Sequence, residues 1–329
     1  MPNVKALLHL CAVVLGHCLL SYSAHAQAPV IVLPQNNTSN ANPFMVTPCY
    51  VSGDPLGAGN NLAQEHVLVA FHYNASQFAY TDSSSGIQRY ADAEQIGTTW
   101  GIATIGTPDD ATRLVYSAAF LKRHCGLGPN GIGAIYVSDL NTGGNIWNSI
   151  PFGPRMTTSK FVDLVADLGL DVGQNQVPGM NLANGAASNT ARNLPLNRTS
   201  PSVDPAVFPY IGKIGLGDLD MDETKTHLFV VNLFLKKIHK IRIADKVLVA
   251  SYDIPAGDGA VGTTMRPWGM EIAGNRLYAG VVYTKENPST LAGEDRATVK
   301  GVIYQLNLAT GAWASSPVIS FPLDYQQGK

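Results

Sequence analysis

Two stretches of this sequence repeat the same short motifs in the same order, and this repeat constrains the fold more than any other feature. The stretch around Trp100 reads TWGIAT, RLVYSAAFLKRH and GIGAIYVSDLNTGGNIW, and the stretch around Trp268 reads PWGMEI, RLYAGVVYTKEN and VKGVIYQLNLATGAW. The matching pairs are Trp100-Gly101 with Trp268-Gly269, Arg113-Leu114 with Arg276-Leu277, Ile135-Tyr136 with Ile303-Tyr304, and Thr142-Gly143 with Thr310-Gly311. Such a repeat indicates one structural unit that is built more than once.

A third copy of the pattern lies between the other two. It has Gly217-Asp218-Leu219 in the place of Trp-Gly-Ile, followed by HLFVV at 227–231 and IHKI at 238–241. One further β-rich run accompanies each copy, before the first copy and after the other two: 67–73, 247–252 and 318–323. Each copy therefore predicts four short strands, provided that the first copy takes its fourth strand from the preceding run.

Four short strands in a unit of about 45 residues are typical of a β-propeller blade. A single blade is too small to bury both of its faces, so it gains stability by packing on neighbouring blades. The content of 32 glycines and 20 prolines favours the many turns of an all-β fold. The predicted blade-like units are 99–150, 212–255 and 266–323. Because propellers close with about four to eight blades, residues 49–329 predict a partial β-propeller, with further blades expected from a longer parent chain or a partner.

The segment 151–211 interrupts the repeat and is predicted to be a long insertion. It carries one predicted short helix, Ser159–Leu168, because four apolar residues follow the i, i+3, i+4, i+7 spacing of a helix face: Phe161, Leu164, Val165 and Leu168. Long irregular insertions in compact domains are often binding loops. A passive surface excursion is the alternative interpretation.

The N-terminus has the pattern of a secretory signal peptide. Lys5 precedes a mostly apolar run, and Ala24-His25-Ala26 forms an A-x-A cleavage site. Residues 1–26 are therefore predicted to direct export to the cell surface or the medium, and the apolar run is short for a membrane anchor. Residues 27–48 are predicted to be a disordered leader. We expect no membrane span after cleavage.

Cysteine usage is consistent with export but leaves the pairing open. Cleavage removes Cys11 and Cys18 and leaves Cys49 and Cys125 in an oxidising compartment, where two thiols are able to pair. A Cys49–Cys125 disulfide and two separate thiols both remain as interpretations, because the sequence does not give the distance between the two Cα atoms.

The charge balance argues against nucleic acid as a partner. The sequence has 22 Lys and Arg against 24 Asp and Glu, a net charge of −2, and no basic run. It therefore lacks the positive field that concentrates nucleic acid or anionic lipid.

Acidic residues supply the candidate metal ligands. Asp218, Asp220 and Asp222 alternate along the chain, and Glu271 lies in the corresponding part of the next copy. Carboxylates two residues apart in a strand share one face, so Asp218 and Asp220 are predicted to point into the central channel, where they could hold Ca²⁺. The alternative is that water and backbone N–H groups satisfy these carboxylates. The sequence requires no cofactor, and Ca²⁺ is the candidate ion.

Two other groups are candidates for ligand contact. Lys122, Arg123 and His124 form a compact basic spot that suits an anionic sugar or an acidic partner, or else is a solvated hairpin end. Trp100 and Trp268 suit stacking on a sugar ring, although core packing near the blade axis is the stronger interpretation.

Sequence motifs of common enzymes are missing. The histidines show no H-x-x-x-H or H-E-x-x-H spacing, and no G-x-S-x-G is found. The glycines of GLGPNGIG at 126–133 match G-x-G-x-x-G in spacing, but no βαβ unit surrounds them as a dinucleotide-binding motif requires, and they are predicted to form a loop between the second and third strands of their blade.

Four segments carry a resemblance to a known group of proteins: CYVSGDP at 49–55, AFLKRHCGLGPNGIGAIY at 119–136, RNLPLN at 192–197 and IGKIGLGDLDMDETKTHLFVVNL at 211–233. With them the chain resembles the N-terminal β-propeller region of large bacterial cell-surface proteins that often carry serine-aspartate-repeat B-type domains. The resemblance implies an exported propeller with no catalytic residues to carry over.

Two functions follow as hypotheses. The first is a non-catalytic exported propeller, part of a larger surface protein, whose loops bind a cell-surface glycan or protein at the bacterial surface or envelope. The second is a calcium-dependent propeller hydrolase or lactonase with its site in the channel.

Overall fold

The computed structural model describes five stretches of the chain: residues 44–72, 88–106, 114–139, 157–286 and 298–324. The predicted signal peptide 1–26, most of the predicted leader, Arg113 and Thr142-Gly143 lie outside the described residues. All five stretches belong to one compact unit, 42–329. None of the helices that they contain has the length and apolar character needed to cross a membrane.

The described residues fold mainly into strands. In chain order these are β1 Phe44–Pro48, β2 His66–His72, β3 Gln88–Asp92, β4 Thr99–Ile105, β5 Leu114–Ala119, β6 Ala134–Asp139, β7 Thr157–Asp163, β8 Leu216–Met221, β9 His227–Asn232, β10 Lys237–Arg242, β11 Leu248–Asp253, β12 Thr264–Ala273, β13 Arg276–Thr284, β14 Lys300–Asn307, β15 Ala312–Trp313 and β16 Ile319–Pro322. Two short α-helices are described, α1 Ala93–Ile96 and α2 Gly185–Ala191.

The strands form four antiparallel sheets that follow one another along the chain. Sheet 1 has the order β1-β2-β3, sheet 2 β4-β5-β6-β7, sheet 3 β8-β9-β10-β11, and sheet 4 β12-β13-β14-β15, with β16 also paired to β14. The all-β prediction is therefore confirmed. Apart from the β14–β16 pair, strands that are neighbours in a sheet are also neighbours in sequence, and short turns join the strands of sheet 3 and the β12–β13 and β14–β15 pairs.

The sequence repeat is visible in the backbone of the first strands of sheets 2, 3 and 4. Each of these strands has an irregularity at the same repeat position: between Thr99 and Ile102 in β4, between Leu216 and Leu219 in β8, and between Pro267 and Met270 in β12. In each case the interrupted pair is the Trp-Gly of the repeat, or its Gly-Asp replacement. A β-bulge increases local twist, so the three strands bend at equivalent points.

Three apolar clusters join consecutive sheets. Val115 and Tyr136 of sheet 2 pack with Val67 and Tyr90 of sheet 1. On its other face sheet 2 contributes residues such as Tyr116 and Ile135 to a cluster with sheet 3, and sheet 3 packs in turn on sheet 4. Sheets 2 and 3 are thus each covered on both faces.

Sheet 4 differs from sheets 2 and 3 because only one of its faces is covered by described residues. The second strands of sheets 2 and 3, β5 and β9, are buried at every position after the first. The corresponding strand β13 alternates between buried and partly exposed residues. The less buried side, which we call the uncovered face, carries Glu271, Tyr278, Val282, Ile303, Ile319 and Phe321, and strand register places the polar side chains of Arg266 and Gln305 on the same side.

The structure corrects the predicted start and end of the first repeat unit. The fourth strand of sheet 2 is β7, which follows the unit, whereas the run 67–73 supplies β2, the central strand of sheet 1. The predicted helix Ser159–Leu168 is wrong, since residues 157–163 form β7 and turns follow. The insertion does contain a short helix, but it is α2. The predicted leader also ends earlier than expected, because 44–48 form β1.

Candidate functional site

The carboxylates of β8 lie at the contact between sheets 3 and 4. Asp218 Oδ1 accepts the N–H of Leu219, and Asp218 Oδ2 accepts the N–H of Met270 at 2.9 Å. Asp220 repeats the arrangement two residues later: its Oδ2 accepts the N–H of Ile272 at 2.6 Å. Each aspartate thus ties its own strand to β12.

The position of β12 in its sheet explains this arrangement. β12 is the first strand of sheet 4, so one of its edges has no strand beside it within the sheet. An unpaired strand edge presents N–H groups that need acceptors. Glu223 continues the series, because its Oε1 accepts the N–H of Gly274 at 2.8 Å. The three acidic side chains therefore satisfy the free edge of β12.

The other two predicted metal ligands behave differently. Asp222 turns to the following loop, where its carboxylate accepts hydrogen bonds from Thr226 and from the backbone N–H of His227. Glu271 lies on β12 near Asp218 and Asp220, and its carboxylate has no hydrogen bond to another described residue. Among the described residues no group of three or more His, Cys, Asp and Glu is placed to hold a metal ion.

The electrostatics separate these carboxylates into two kinds. Burial raises the pKa of Asp218 and of Asp220. Burial also raises the pKa of Glu271, and the negative charges of Asp220 and Asp218 add to the rise. Burial would raise the pKa of Asp222 too, but hydrogen bonds from His227 and Thr226 outweigh it and hold that pKa at about 2. In these three carboxylates near β12 the surroundings therefore disfavour the charged form.

Aromatic side chains gather beside these carboxylates. The rings of Trp100 and Trp268 lie 5.5 Å apart, and Phe120 packs edge-on against Trp268 with a centroid distance of 5.3 Å. Phe120 is buried, whereas Trp100 remains partly exposed. The two tryptophans of the repeat thus pack against each other, but the exposure of Trp100 departs from the core interpretation.

The residues of the predicted basic spot, Lys122, Arg123 and His124, contact other residues of the same chain. The Lys122 ammonium lies over the ring of Tyr50 at 4.3 Å. Arg123 donates two hydrogen bonds to the carbonyl oxygen of Val203, and its guanidinium lies 4.8 Å from the ring centre of Phe208. The three basic residues lie on the loop between β5 and β6, and the contacts of Arg123 hold the segment that follows α2.

His124 and a buried ion pair complete the attachment of this segment. Asp204 Oδ2 accepts the backbone N–H of His124 at 2.8 Å and a hydrogen bond from Arg192 Nη2 at 2.7 Å. The side chains of Arg192 and Asp204 are both fully buried. Arg192 Nη2 also donates to the carbonyl oxygens of Lys122 and Cys125.

Sequence reasoning missed this ion pair. Arg192 occurs within the quoted RNLPLN segment, but its contacts lie 12 residues ahead and about 70 residues behind it in sequence. Asn189 is similar: its side chain accepts from the backbone N–H of Leu127 and donates to Asp54, 135 residues away. No local spacing signals such contacts.

The segment that follows α2 is held by these contacts, and it exposes large apolar side chains. Val203 is 68% exposed and Phe208 is 60% exposed. Together with Arg123 they form one patch, which we call the insertion surface. A loop that is held by a buried ion pair and still exposes apolar groups is typical of a binding surface.

The two cysteines that are predicted to remain after cleavage, Cys49 and Cys125, are thiols in the structure. Both lie near Tyr50, and burial raises the pKa of the Cys125 thiol to about 11. Cys125 is therefore protonated and poorly nucleophilic at neutral pH. The disulfide stays a prediction.

His239 is held as a neutral ring in sheet 3. The amide oxygen of Asn232 accepts the N–H groups of Phe234 and Leu235, which leaves the Asn232 Nδ2 to donate to His239 Nε2 at 3.2 Å. His239 Nδ1 lies 2.8 Å from Ser251 Oγ. A proton on Nε2 would face another donor, and burial lowers the pKa of His239 to about 4.

This histidine predicts a loss of stability in mild acid. Below pH 6.5 the unfolded chain takes up a proton that folded His239 refuses until about pH 4, so stability falls as the pH falls through that window. We expect His239 to account for about 2 kcal/mol of lost unfolding free energy between pH 7 and pH 5. Urea unfolding across this range, compared with His239→Gln, measures the difference. Identical pH profiles for the two proteins would contradict the prediction.

Comparison with known proteins gives a distant relative by sequence. No family model matches the chain. Colossin-D of Dictyostelium discoideum is 24% identical over 259 residues, which cover 79% of this chain and 24% of Colossin-D. The chain thus spans about a quarter of the length of that relative.

Solved structures give only a loose likeness. The chain is similar to a luciferin-regenerating enzyme (TM-score 0.34, 13% identity, 80% of this chain and 57% of that one). It is also similar to a protein from Lactobacillus plantarum (0.32, 9%, 87% and 69%) and to the periplasmic gluconolactonase of Pseudomonas aeruginosa (0.23, 8%, 85% and 97%). At these scores the chains do not superpose as whole folds, so no residue role is transferred from them.

Proposed function

We propose that the chain is a non-catalytic binding module with propeller-type architecture, exported and held at a cell surface or envelope. The first strands of consecutive sheets contact one another, β1 with β4, β4 with β8 and β8 with β12. This order of contacts supports four blades arranged about one axis. The setting in a large surface protein rests on the resemblance of the four quoted sequence segments.

The insertion surface is the observation that carries the binding role. Arg192 and Asp204 are fully buried beneath it, so the loop is ordered before any partner arrives. A preformed surface loses less conformational entropy on binding than a mobile one. Its exposed Val203 and Phe208, beside the Arg123 guanidinium, fit a surface protein or the apolar face of a glycan.

Retention on envelope material tests this role. The labelled chain without residues 1–26 is added to purified envelope and matrix-glycan preparations, and the bound fraction is measured. We expect Val203→Asp with Phe208→Ala to lower retention at least about tenfold, because it removes the apolar contacts at the centre of the surface. Val261→Asp is the matched control, since Val261 is 99% exposed and lies outside the insertion surface. Equal retention by all three proteins would overturn the assignment.

A calcium-dependent hydrolase or lactonase is the second candidate. The observation in its favour is the gathering of Asp218, Asp220 and Glu271, whose raised pKa values are typical of functional carboxylates. One of the similar solved structures is named a gluconolactonase, and gluconolactone is therefore the substrate that we choose to assay this second candidate.

Calcium titration separates the two candidates. A calcium site would raise the melting temperature at millimolar Ca²⁺, and Asp218→Ala with Asp220→Ala would abolish the rise. Gluconolactone hydrolysis is measured in the same samples. Under the binding proposal we expect neither a calcium response nor hydrolysis, and calcium-dependent turnover that is lost in the double variant would replace the first candidate by the second.

A further inference from the structure

Equivalent glycines of the repeat have unlike surroundings. Gly101 of β4 lies directly against β8, so that a Cβ placed on it would come within 2.8 Å of the Asp218 Cα. Gly269 is the same repeat position in β12, and the nearest described atom to its Cβ would be an Asp218 oxygen at 3.9 Å. β8 packs against Gly101, whereas no described strand packs in the same way against Gly269.

Equivalent carboxylates show the same difference. Alignment at the strand irregularities matches Asp220 of β8 with Glu271 of β12. Asp220 accepts an edge N–H of the next sheet, whereas Glu271 has the same location on its own strand and accepts no hydrogen bond from a described residue. Sheet 4 therefore has a carboxylate at the position from which sheet 3 accepts an N–H of the next sheet, but no described strand donates an N–H to it.

Five side chains of the uncovered face are apolar or aromatic and are suited to burial. Tyr278, Val282 and Ile303 lie along its centre, and Ile319 and Phe321 are 47% and 46% exposed. In sheets 2 and 3 the corresponding faces are filled by the apolar residues of the next sheet. The uncovered face thus has the features that the contacts between sheets 2, 3 and 4 use: a glycine that lets a neighbouring strand come close, a carboxylate that can accept an N–H, and an apolar surface.

We propose that the uncovered face docks a further blade of the same repeat, carried by additional polypeptide of a longer chain. The first strand of that blade lies against Gly269 and donates an edge N–H to Glu271. This goes beyond the binding role of the insertion surface and does not depend on it. Two copies of this chain that paired through the same face would bring two Glu271 carboxylates together without donors, so charge disfavours a second copy.

Addition of a blade to the full chain tests the proposal. Residues 254–323, which contain the native connection from β11 and all of sheet 4, are repeated after Lys329. Tyr278→Cys is introduced only in the original copy, and its rate of alkylation is followed by mass spectrometry. We expect the added blade to slow this alkylation at least about tenfold, because docking buries position 278 while the short native connection keeps the local concentration high.

Two variants define the result. Gly269→Val in the original sheet 4 fills the approach site and should restore the fast rate, whereas Gly257→Val, at a glycine with open space around it, should not. Val249→Cys on β11 should react equally with and without the added blade. If the added blade leaves the rate at position 278 unchanged, or remains open to protease because it has nothing to fold against, the proposal is overturned.

A second copy of the chain is the alternative partner for the uncovered face. If the chain without the added blade dimerises in analytical ultracentrifugation and protects Tyr278→Cys as its concentration rises, a second copy replaces the added blade. The binding role stands or falls separately, because retention on envelope material depends on Val203 and Phe208 and not on this face.

Discussion

Gly101→Val should lower the free energy of unfolding by about 3 kcal/mol or more. The new side chain would meet the backbone of β8 at Asp218 and Leu219, and backbone cannot rotate away as the end of a flexible side chain can. Valine suits a strand, so its β propensity does not account for the loss. The contact between sheets 2 and 3 must open instead. Urea unfolding followed by tryptophan fluorescence measures the change.

Gly269→Val is the matched control for this substitution. It makes the same chemical change at the same repeat position, but only an Asp218 oxygen lies near, at 3.9 Å. Its effect should stay within about 0.5 kcal/mol, as for a substitution at an open position. Equal losses in the two variants would show that the glycine is needed for the bulge itself and not for the approach of the next sheet.

The sequence predicted the repeating part of this fold because each unit carries its own pattern. The Trp-Gly of β4 and β12 marks the strand irregularity, and its replacement by Gly217-Asp218 in β8 keeps that irregularity. A periodic pattern needs no knowledge of distant contacts, since each copy forms the same local structure.

The insertion was harder to predict for a physical reason. Phe161, Leu164, Val165 and Leu168 have helical spacing, but the first belongs to β7 and the others follow that strand in turns. Phe161 and Leu164 are buried, as both interpretations require. A short apolar run does not distinguish a strand that ends in packed turns from a helix.

The candidate site was found in part. The sequence singled out Asp218 and Asp220, and the structure places them together on β8. Their use by the N–H groups of Met270 and Ile272 could not be foreseen in detail, because those donors lie 52 residues away. Every residue except proline has a backbone N–H, so the residue type does not reveal which N–H groups act as donors. In the sequence, a carboxylate that accepts the N–H groups of a strand edge therefore looks the same as one that binds a cation.

Loss of the buried ion pair should be the most damaging change in the insertion. Arg192→Met leaves the Asp204 carboxylate buried without its cation and removes the donors to the Lys122 and Cys125 carbonyl oxygens. Removal of one partner from a buried pair costs about 3–5 kcal/mol. Asp204→Asn should cost a similar amount, and asparagine tolerates the left-handed backbone of that position, where φ is 43°.

A double variant of the buried pair and a variant of an exposed ion pair show how much of the lost stability comes from the unpaired buried charge. Arg192→Met with Asp204→Asn should cost clearly less than the sum of the single changes, because no unpaired charge remains buried. Lys160→Ala, which breaks a pair with Asp167 that is 34% and 39% exposed, should cost at most about 1 kcal/mol. Chemical unfolding measures all four proteins.

Trypsin then connects this loss to the proposed binding role. Lys122 and Arg123 lie on the loop that Arg192 holds through the Lys122 and Cys125 carbonyl oxygens. In the Arg192→Met protein that loop is released, so cleavage after residues 122 and 123 should become faster under conditions where most molecules remain folded. Retention on envelope material should fall in parallel, since the insertion surface would no longer be ordered in advance. Unchanged cleavage with a large loss of global stability would mean that the ion pair stabilises the whole chain and does not order this surface.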